Sequence, residues 1–103
     1  MNAVTAAVLA ANNEDDIDGC LASLAWADAL LVVLDTRSVD RTAERARAHG
    51  ARVVPHPFHD FGAQRNFALA QADTEWVFFL DTDERCTPAL AAELREAAAR
   101  DDL

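Results

Sequence analysis

Positive charge is what this sequence is shortest of. Nine Lys and Arg stand against eighteen Asp and Glu over 103 residues, a formal net charge of −9. Nucleic-acid binders draw affinity from basic patches that displace counterions, so this balance argues against that class. It also means that a phosphate-bearing ligand would be repelled unless a metal or local arginines intervene. Cysteine is scarce as well. Cys20 and Cys86 are the only two, and they lack CxxC spacing. That excludes a disulfide framework and reads as buried or half-buried thiols in a reducing compartment. His49, His56 and His59 are scattered and form no zinc pattern. No run approaches the roughly 20 apolar residues that a membrane-spanning helix needs. The small, apolar start, Met1 to Ala11, has no positive n-region, and acids follow it at once, which reads against an export signal. Repeats and low-complexity linkers are also missing.

What is there is apolar and periodic. Hydrophobic residues make up 51% of the chain, enough for the core of one domain and against disorder. Val4 to Ala10 reads as a buried strand. Asp15 or Asp16 then caps a helix that puts Ile17, Leu21 and Leu24 on one face with Cys20 beside them. Ala29 to Leu34 is a second strand ending in Asp35. A helix follows from about Asp40 to His49, and Gly50 is its C-terminal cap. Ala51 to Val54 is a short third strand, closed by Pro55 and placed at an edge. Phe61 to Ala72 is helical, with Gln64, Arg65 and Asn66 polar and Phe67, Ala70 and Ala63 inward. Trp76 to Leu80 is an uninterrupted apolar run that reads as a strand buried on both faces. Thr87-Pro88 opens a last helix whose apolar face is Leu90, Leu94, Ala97 and Ala98. Asp101 to Leu103 reads as a frayed tail. The order β-α-β-α-β-α-β-α implies an α/β fold: a parallel sheet of about four strands with helices on both faces. With so few residues after the last strand, it reads as one unit, 1–103, that is half of a larger domain. Apolar surface is then expected at the sheet edge beside Trp76 to Leu80.

Acids collect where the strands end. In parallel α/β sheets ligands bind outside the carboxyl ends of the strands, and Asn13-Glu14, Asp35 and Asp81-Thr82-Asp83-Glu84 all fall there. In extended backbone Asp81 and Asp83 leave on the same side. Two carboxylates so placed call for a hard divalent cation. Arg65, early in its helix, reaches the same rim. Acids, a metal and one arginine suit a nucleoside diphosphate. Each feature alone has an ordinary meaning: a turn aspartate, a solvated arginine, a loop-to-helix junction, a chance DxD. Their conjunction carries the reading.

The wording of these stretches resembles family 2 glycosyltransferases of the Rossmann-like GT-A fold, over nearly the whole chain. The matching stretches are Asn13-Glu14, Trp26-Ala27-Asp28 and the turn Asp35-Thr36-Arg37-Ser38-Val39-Asp40-Arg41-Thr42. Ser23-Leu24-Ala25 leading into Trp26, Gly50-Ala51-Arg52-Val53, Phe61-Gly62-Ala63-Gln64-Arg65-Asn66-Phe67-Ala68-Leu69 and Trp76 to Arg85 complete the set. The flavour is nearest the lipopolysaccharide-core β-glucosyltransferase type. The resemblance implies a nucleotide-diphospho-sugar donor, a UDP-sugar first of all, and a glycan or lipid-linked acceptor. It implies that Ala11, Asn13, Glu14 and Asp35 hold base and ribose, with Arg65 by the nucleotide. Asp83 would ligate Mn²⁺ or Mg²⁺ directly, and Asp81 would serve the ribose or a metal-bound water. Transfer would be inverting, with a carboxylate base from later strands, so no residue of this chain is assigned as the base. It further implies cytoplasmic work, peripheral to the inner face of the membrane. Asn12 departs from the pattern, since many members carry an aromatic or other large residue there beside the base. Two alternatives stand beside this reading: a non-catalytic remnant or interaction module of the same fold that self-associates through its open edge, and a DxD phosphatase-like hydrolase.

Overall fold

The computed structural model describes residues 2–100. The expected fraying of Asp101 to Leu103 lies outside the described residues. Strands and helices alternate as expected: β1 Val4–Ala10, α1 Ile17–Ala22, β2 Ala29–Asp35, α2 Thr42–Ala48, β3 Arg52–His56, α3 Phe61–Gln71, β4 Trp76–Phe79 and α4 Pro88–Ala99. The described strands form one sheet in the order β3-β2-β1-β4, and every pair is parallel. The chain therefore winds outward from β1 through β2 and β3, then returns to place β4 on the other side of β1. The β1/β4 junction is the topological switch point, where open α/β sheets hold ligands.

The pleat divides the core into two layers. Ala6, Val8, Ala10, Val32 and Leu80 face one side, where Ile17, Cys20, Leu21 and Leu24 from α1 and its following turn meet Ala46 of α2. Ala91 and Leu94 of α4 pack on this layer. Ala7, Leu31 and Val33 face the other side, against Ala68 of α3, with Phe67, Val77 and Phe79 partly buried around them.

Several boundaries differ from the sequence expectation, each for a physical reason. The Trp76–Phe79 strand is half-buried throughout, not buried on both faces. Its only strand neighbour is β1, and its outer edge carries no strand among the described residues. β3 runs through Pro55, which lies opposite Leu34, to His56 opposite Asp35. An outermost strand tolerates a residue with no N–H to donate. α1 is a short helix, and Asp16 at its start makes no side-chain cap. In α3 the inward residues are Gln64 and Ala68, while Ala70 is exposed. In α4 Leu90 is more than a third exposed and Ala91 takes the inward place.

Helix ends follow the expected chemistry elsewhere. Asp60 caps α3 by accepting the Ala63 N–H at 2.7 Å, and Thr87 caps α4 by accepting that of Leu90 at 3.1 Å, with Pro88 next. Gly50, at φ +81°, closes α2. Its N–H reaches the Arg47 carbonyl at 2.9 Å, and the Ala51 N–H reaches that of Ala46 at 3.3 Å. A left-handed residue in that place satisfies carbonyls that the helix end leaves open.

Candidate functional site

The register sets the site. β1 and β4 pair from Val4↔Trp76 to Ala7↔Phe79, and the Leu80 N–H makes one more bond to the Ala7 carbonyl, 3.2 Å. Beyond that point β1 continues to Ala10 while the segment after β4 turns away. The gap holds a cavity of about 720 Å³. Ala11 and Asn13 line it from the β1 exit, Asp35 from the end of β2, Arg65 from α3, and Asp81 and Asp83 from beyond β4. Of the residues assigned to donor and metal from the sequence, Glu14 alone is not on its wall.

Glu14 helps build the wall instead. The β1 exit is tied to the turn after β2 by three successive backbone N–H groups. Asn12 donates to Ser38 Oγ at 3.0 Å, Asn13 to Thr42 Oγ1 at 2.8 Å, and Glu14 to Asp40 Oδ2 at 3.1 Å. The turn answers in kind: Val39 N–H donates to Asn12 Oδ1 at 2.9 Å and Arg41 N–H to Glu14 Oε2 at 3.2 Å. Thus Ser38, Asp40 and Thr42, met in the sequence as a spaced polar motif, are the acceptors of a loop-to-loop lock. Burial opposes the charge of Asp40, but hydrogen bonds from Thr42, Glu14 N–H and Ser38 outweigh it and hold its carboxyl below the usual range. Asn12 takes the left-handed conformation, φ 54°, which Asn tolerates better than most residues.

Asp35 is 6% exposed, and its neutralising partner is in the protein. Arg37 Nη2 donates to Oδ2 at 2.8 Å, Arg37 Nε lies 3.2 Å from both oxygens, and the Arg37 N–H donates to Oδ1 at 3.0 Å. These bonds pull the Asp35 carboxyl below its ordinary value. Asp35 therefore needs no bound cation to offset its charge. The fork of donors stands two residues away in the sequence, and only the folded turn brings it onto Asp35.

Asp81 and Asp83 are exposed, and neither forms an ion pair among the described residues. Their backbone is not extended. The Glu84 N–H donates to the Asp81 carbonyl at 2.9 Å, and Glu84 Oε1 accepts the Asp81 N–H at 3.0 Å. That double closure makes a turn, which corrects the strand-alternation argument while leaving both carboxylates on the cavity. Arg85 pins the turn, donating to the carbonyls of Thr82 at 2.9 Å and Glu84 at 2.7 Å. It also lies 3.7 Å from Asp16, a further cavity residue that sequence reading had assigned to capping. Among the described residues no group of three or more His, Cys, Asp and Glu is gathered for a metal. The far wall holds residues with no sequence signal as ligands: Phe58, Phe61 and Gln64.

The model of the family described as glycosyl transferase family 2 matches residues 5–103. The lipopolysaccharide core biosynthesis glycosyltransferase LpsC of Rhizobium meliloti is 31% identical over 96% of this chain. TarS of S. aureus, solved in complex with UDP-GlcNAc, superposes with a TM-score of 0.74 at 31% identity over 94% of the chain. Glucosyl-3-phosphoglycerate synthase of Mycobacterium tuberculosis, solved with Mn²⁺, UDP and glucosyl-3-phosphoglycerate, gives 0.69 at 28% identity over 79%. The chain spans 38% of the LpsC length, 30% of that TarS chain and 33% of the synthase.

Proposed function

This chain belongs to glycosyl transferase family 2, and on that premise we propose that residues 1–103 are the donor-binding part of a GT-A domain. It binds a nucleotide-diphospho-sugar, a UDP-sugar first of all, for inverting transfer to a glycan or lipid-linked acceptor. The observation that carries this reading is the meeting of Asp35, Arg65, Asp81 and Asp83 on one cavity at the β1/β4 switch point. The family assignment sets the phosphatase-like alternative aside.

The donor set suits Mn²⁺ or Mg²⁺. Asp81 and Asp83 are hard oxygen donors, exposed and without a protein counter-ion among the described residues. Ions of this kind take one or two carboxylates and complete their shell from substrate phosphates and water. UDP with Mn²⁺ in the related synthase structure supports the same choice. When bound, the ion supplies charge compensation for a diphosphate leaving group. Asp83 is the direct ligand in this reading, and Asp81 serves the ribose or a metal-bound water. Asp35 and the Ala11–Asn13 loop hold the ribose and base. Arg65, whose guanidinium carbon lies 5.8 Å from the Phe79 ring centre, meets the nucleotide. No helix among the described residues is long and apolar enough to cross a membrane, and work in the cytoplasm at the inner membrane face is part of the proposal. The open β4 edge is where further strands or a second copy would pair.

Calorimetry on the full-length protein tests this. UDP is expected to bind with Mn²⁺ present and far more weakly without it, and Asp83→Ala is expected to remove the difference. UDP binding that ignores the metal, or no binding at all, overturns the proposal.

A further inference from the structure

Asp35 lines the cavity and yet presents no open acceptor to it. Its Oδ1 accepts the Arg37 backbone N–H at 3.0 Å and Nε at 3.2 Å, and its Oδ2 accepts Nε at 3.2 Å and Nη2 at 2.8 Å. A carboxylate has about four acceptor positions, so Arg37 alone fills them. The Arg37 side chain is itself 73% exposed, while that of Asp35 beneath it is 8% exposed. A ribose hydroxyl that is to donate to Asp35 must first displace the guanidinium.

The turn that carries Arg37 is held by its backbone. The Ser38 N–H donates to the Asp35 carbonyl at 2.9 Å, and Ser38 Oγ and the Val39 N–H are both tied to Asn12. Rotation of the exposed Arg37 side chain is fast and needs no movement of this loop. What it needs is a replacement for each partner. Charge-assisted hydrogen bonds are roughly twice as strong as neutral ones. Hydroxyls alone are therefore a poor exchange for the guanidinium, whereas a diphosphate offers the released cation a new anion. We propose that Arg37 is a specificity-determining latch on Asp35. It shields the carboxylate from a bare nucleoside and moves onto a phosphate oxygen when a nucleoside diphosphate enters the cavity. The inference rests on the donor-site reading above, in which Asp35 meets the ribose.

The test uses the full-length protein with uridine and with UDP, both in Mg²⁺, followed by calorimetry. Arg37→Ala is expected to tighten uridine several-fold and to weaken UDP several-fold, so that the preference for UDP narrows from both sides. Arg37→Lys, whose point charge cannot span both oxygens of Asp35, is expected to tighten uridine as well while keeping most of the UDP affinity. A purely structural ion pair would not favour the nucleoside in this way. Unchanged or weaker uridine binding in folded Arg37→Ala overturns the latch and leaves the donor site standing. The Arg37 Nε–H resonance of the wild type gives a reading that depends on no variant: it is expected to shift when UDP saturates the protein. A resonance that keeps its ligand-free position overturns the latch equally. A wild-type protein that does not bind UDP brings down the donor-site reading and this inference with it.

Discussion

His56 and Gln64 are joined twice across the connection from β3 to α3: the ring Nδ1 lies 2.6 Å from Gln64 Oε1, and Gln64 Nε2 donates to the His56 carbonyl at 3.3 Å. Gln64 is 2% exposed, so it is a buried amide whose partner is supplied by the last residue of an edge strand. The His56 ring also stacks on Phe67 with centres 3.8 Å apart, one helical turn further along. These contacts hold α3, and with it Arg65, against the sheet. Gln64→Leu leaves the His56 carbonyl without its side-chain donor and is expected to cost about 1–3 kcal/mol, read as a lower denaturant midpoint with an unchanged slope. No change in the midpoint would show that solvent replaces the bond freely.

Asp18 makes stability fall in acid. Its carboxylate lies 2.9 Å from His49 Nε2 and accepts from Arg45 Nη1 at 2.9 Å, bridging α1 to α2. The His49 bond, then Arg45, lowers its pKa against the opposing effect of burial. A folded-state value below the unfolded one adds stability above the unfolded pKa, about 3.9 for Asp. That contribution is lost as pH falls through the folded value. Unfolding curves between pH 7 and pH 2 should therefore show a smaller acid-induced loss in Asp18→Asn than in the wild type. Parallel curves for the two proteins would contradict the role given to Asp18.

The Asp35–Arg37 pair predicts non-additivity. Arg37→Ala leaves a buried carboxylate with only its backbone contacts, and it is expected to lower the melting temperature more than Asp35→Asn does. Arg37 is itself 73% exposed in its side chain and suffers little from losing its partner. In the Asp35→Asn background the cost of Arg37→Ala should shrink, because the charge it compensates is gone. Equal costs in both backgrounds would mean that the pair is independent in energy despite its geometry.

Much of this was legible before any coordinates. Uninterrupted runs such as Ala29–Leu34 mark strands because a parallel strand is covered on both faces. Thr87-Pro88 and Gly50 mark helix ends because backbone chemistry leaves few alternatives there. What was not legible depends on partners fixed by tertiary register. Gln64 read as a polar surface residue, since its burial depends on His56 arriving opposite Asp35. Arg37 read as part of a turn, since the fork onto Asp35 exists only once that turn brings them together. The alternation of Asp81 and Asp83 was overwritten by Glu84, whose backbone and side chain both return to Asp81. Glu14 looked like a ligand because it sits at a strand's carboxyl end, yet its side chain serves the Arg41 N–H.

Gly19 and Arg85 give a local test of the acidic turn. A Cβ built on Gly19 would lie 2.6 Å from Arg85 Nε and 2.8 Å from its Nη2. The guanidinium thus rests directly on α1, where only a glycine leaves room. Gly19→Ala pushes on the far end of a flexible side chain, so the fold is expected to survive with little loss of stability. What it displaces is the cation that pins the carbonyls of Thr82 and Glu84 and faces Asp16.

Cys20 offers a readout of the same turn. Its Sγ donates to the Asp81 carbonyl at 3.6 Å, and burial pushes its thiol up to about 11. Because the thiolate is the reactive form, labelling of Cys20 in the native protein should be slow. A loosened turn should speed it. Gly19→Ala and Arg85→Ala are therefore each expected to raise the Cys20 labelling rate several-fold in a Cys86→Ser background, with the global denaturant midpoint nearly unchanged. If the rate follows only global stability, Arg85 does not hold the turn closed. Should Mn²⁺ with UDP slow the labelling of the wild type but not of Asp83→Ala, the carboxylate and the thiol report on one and the same loop.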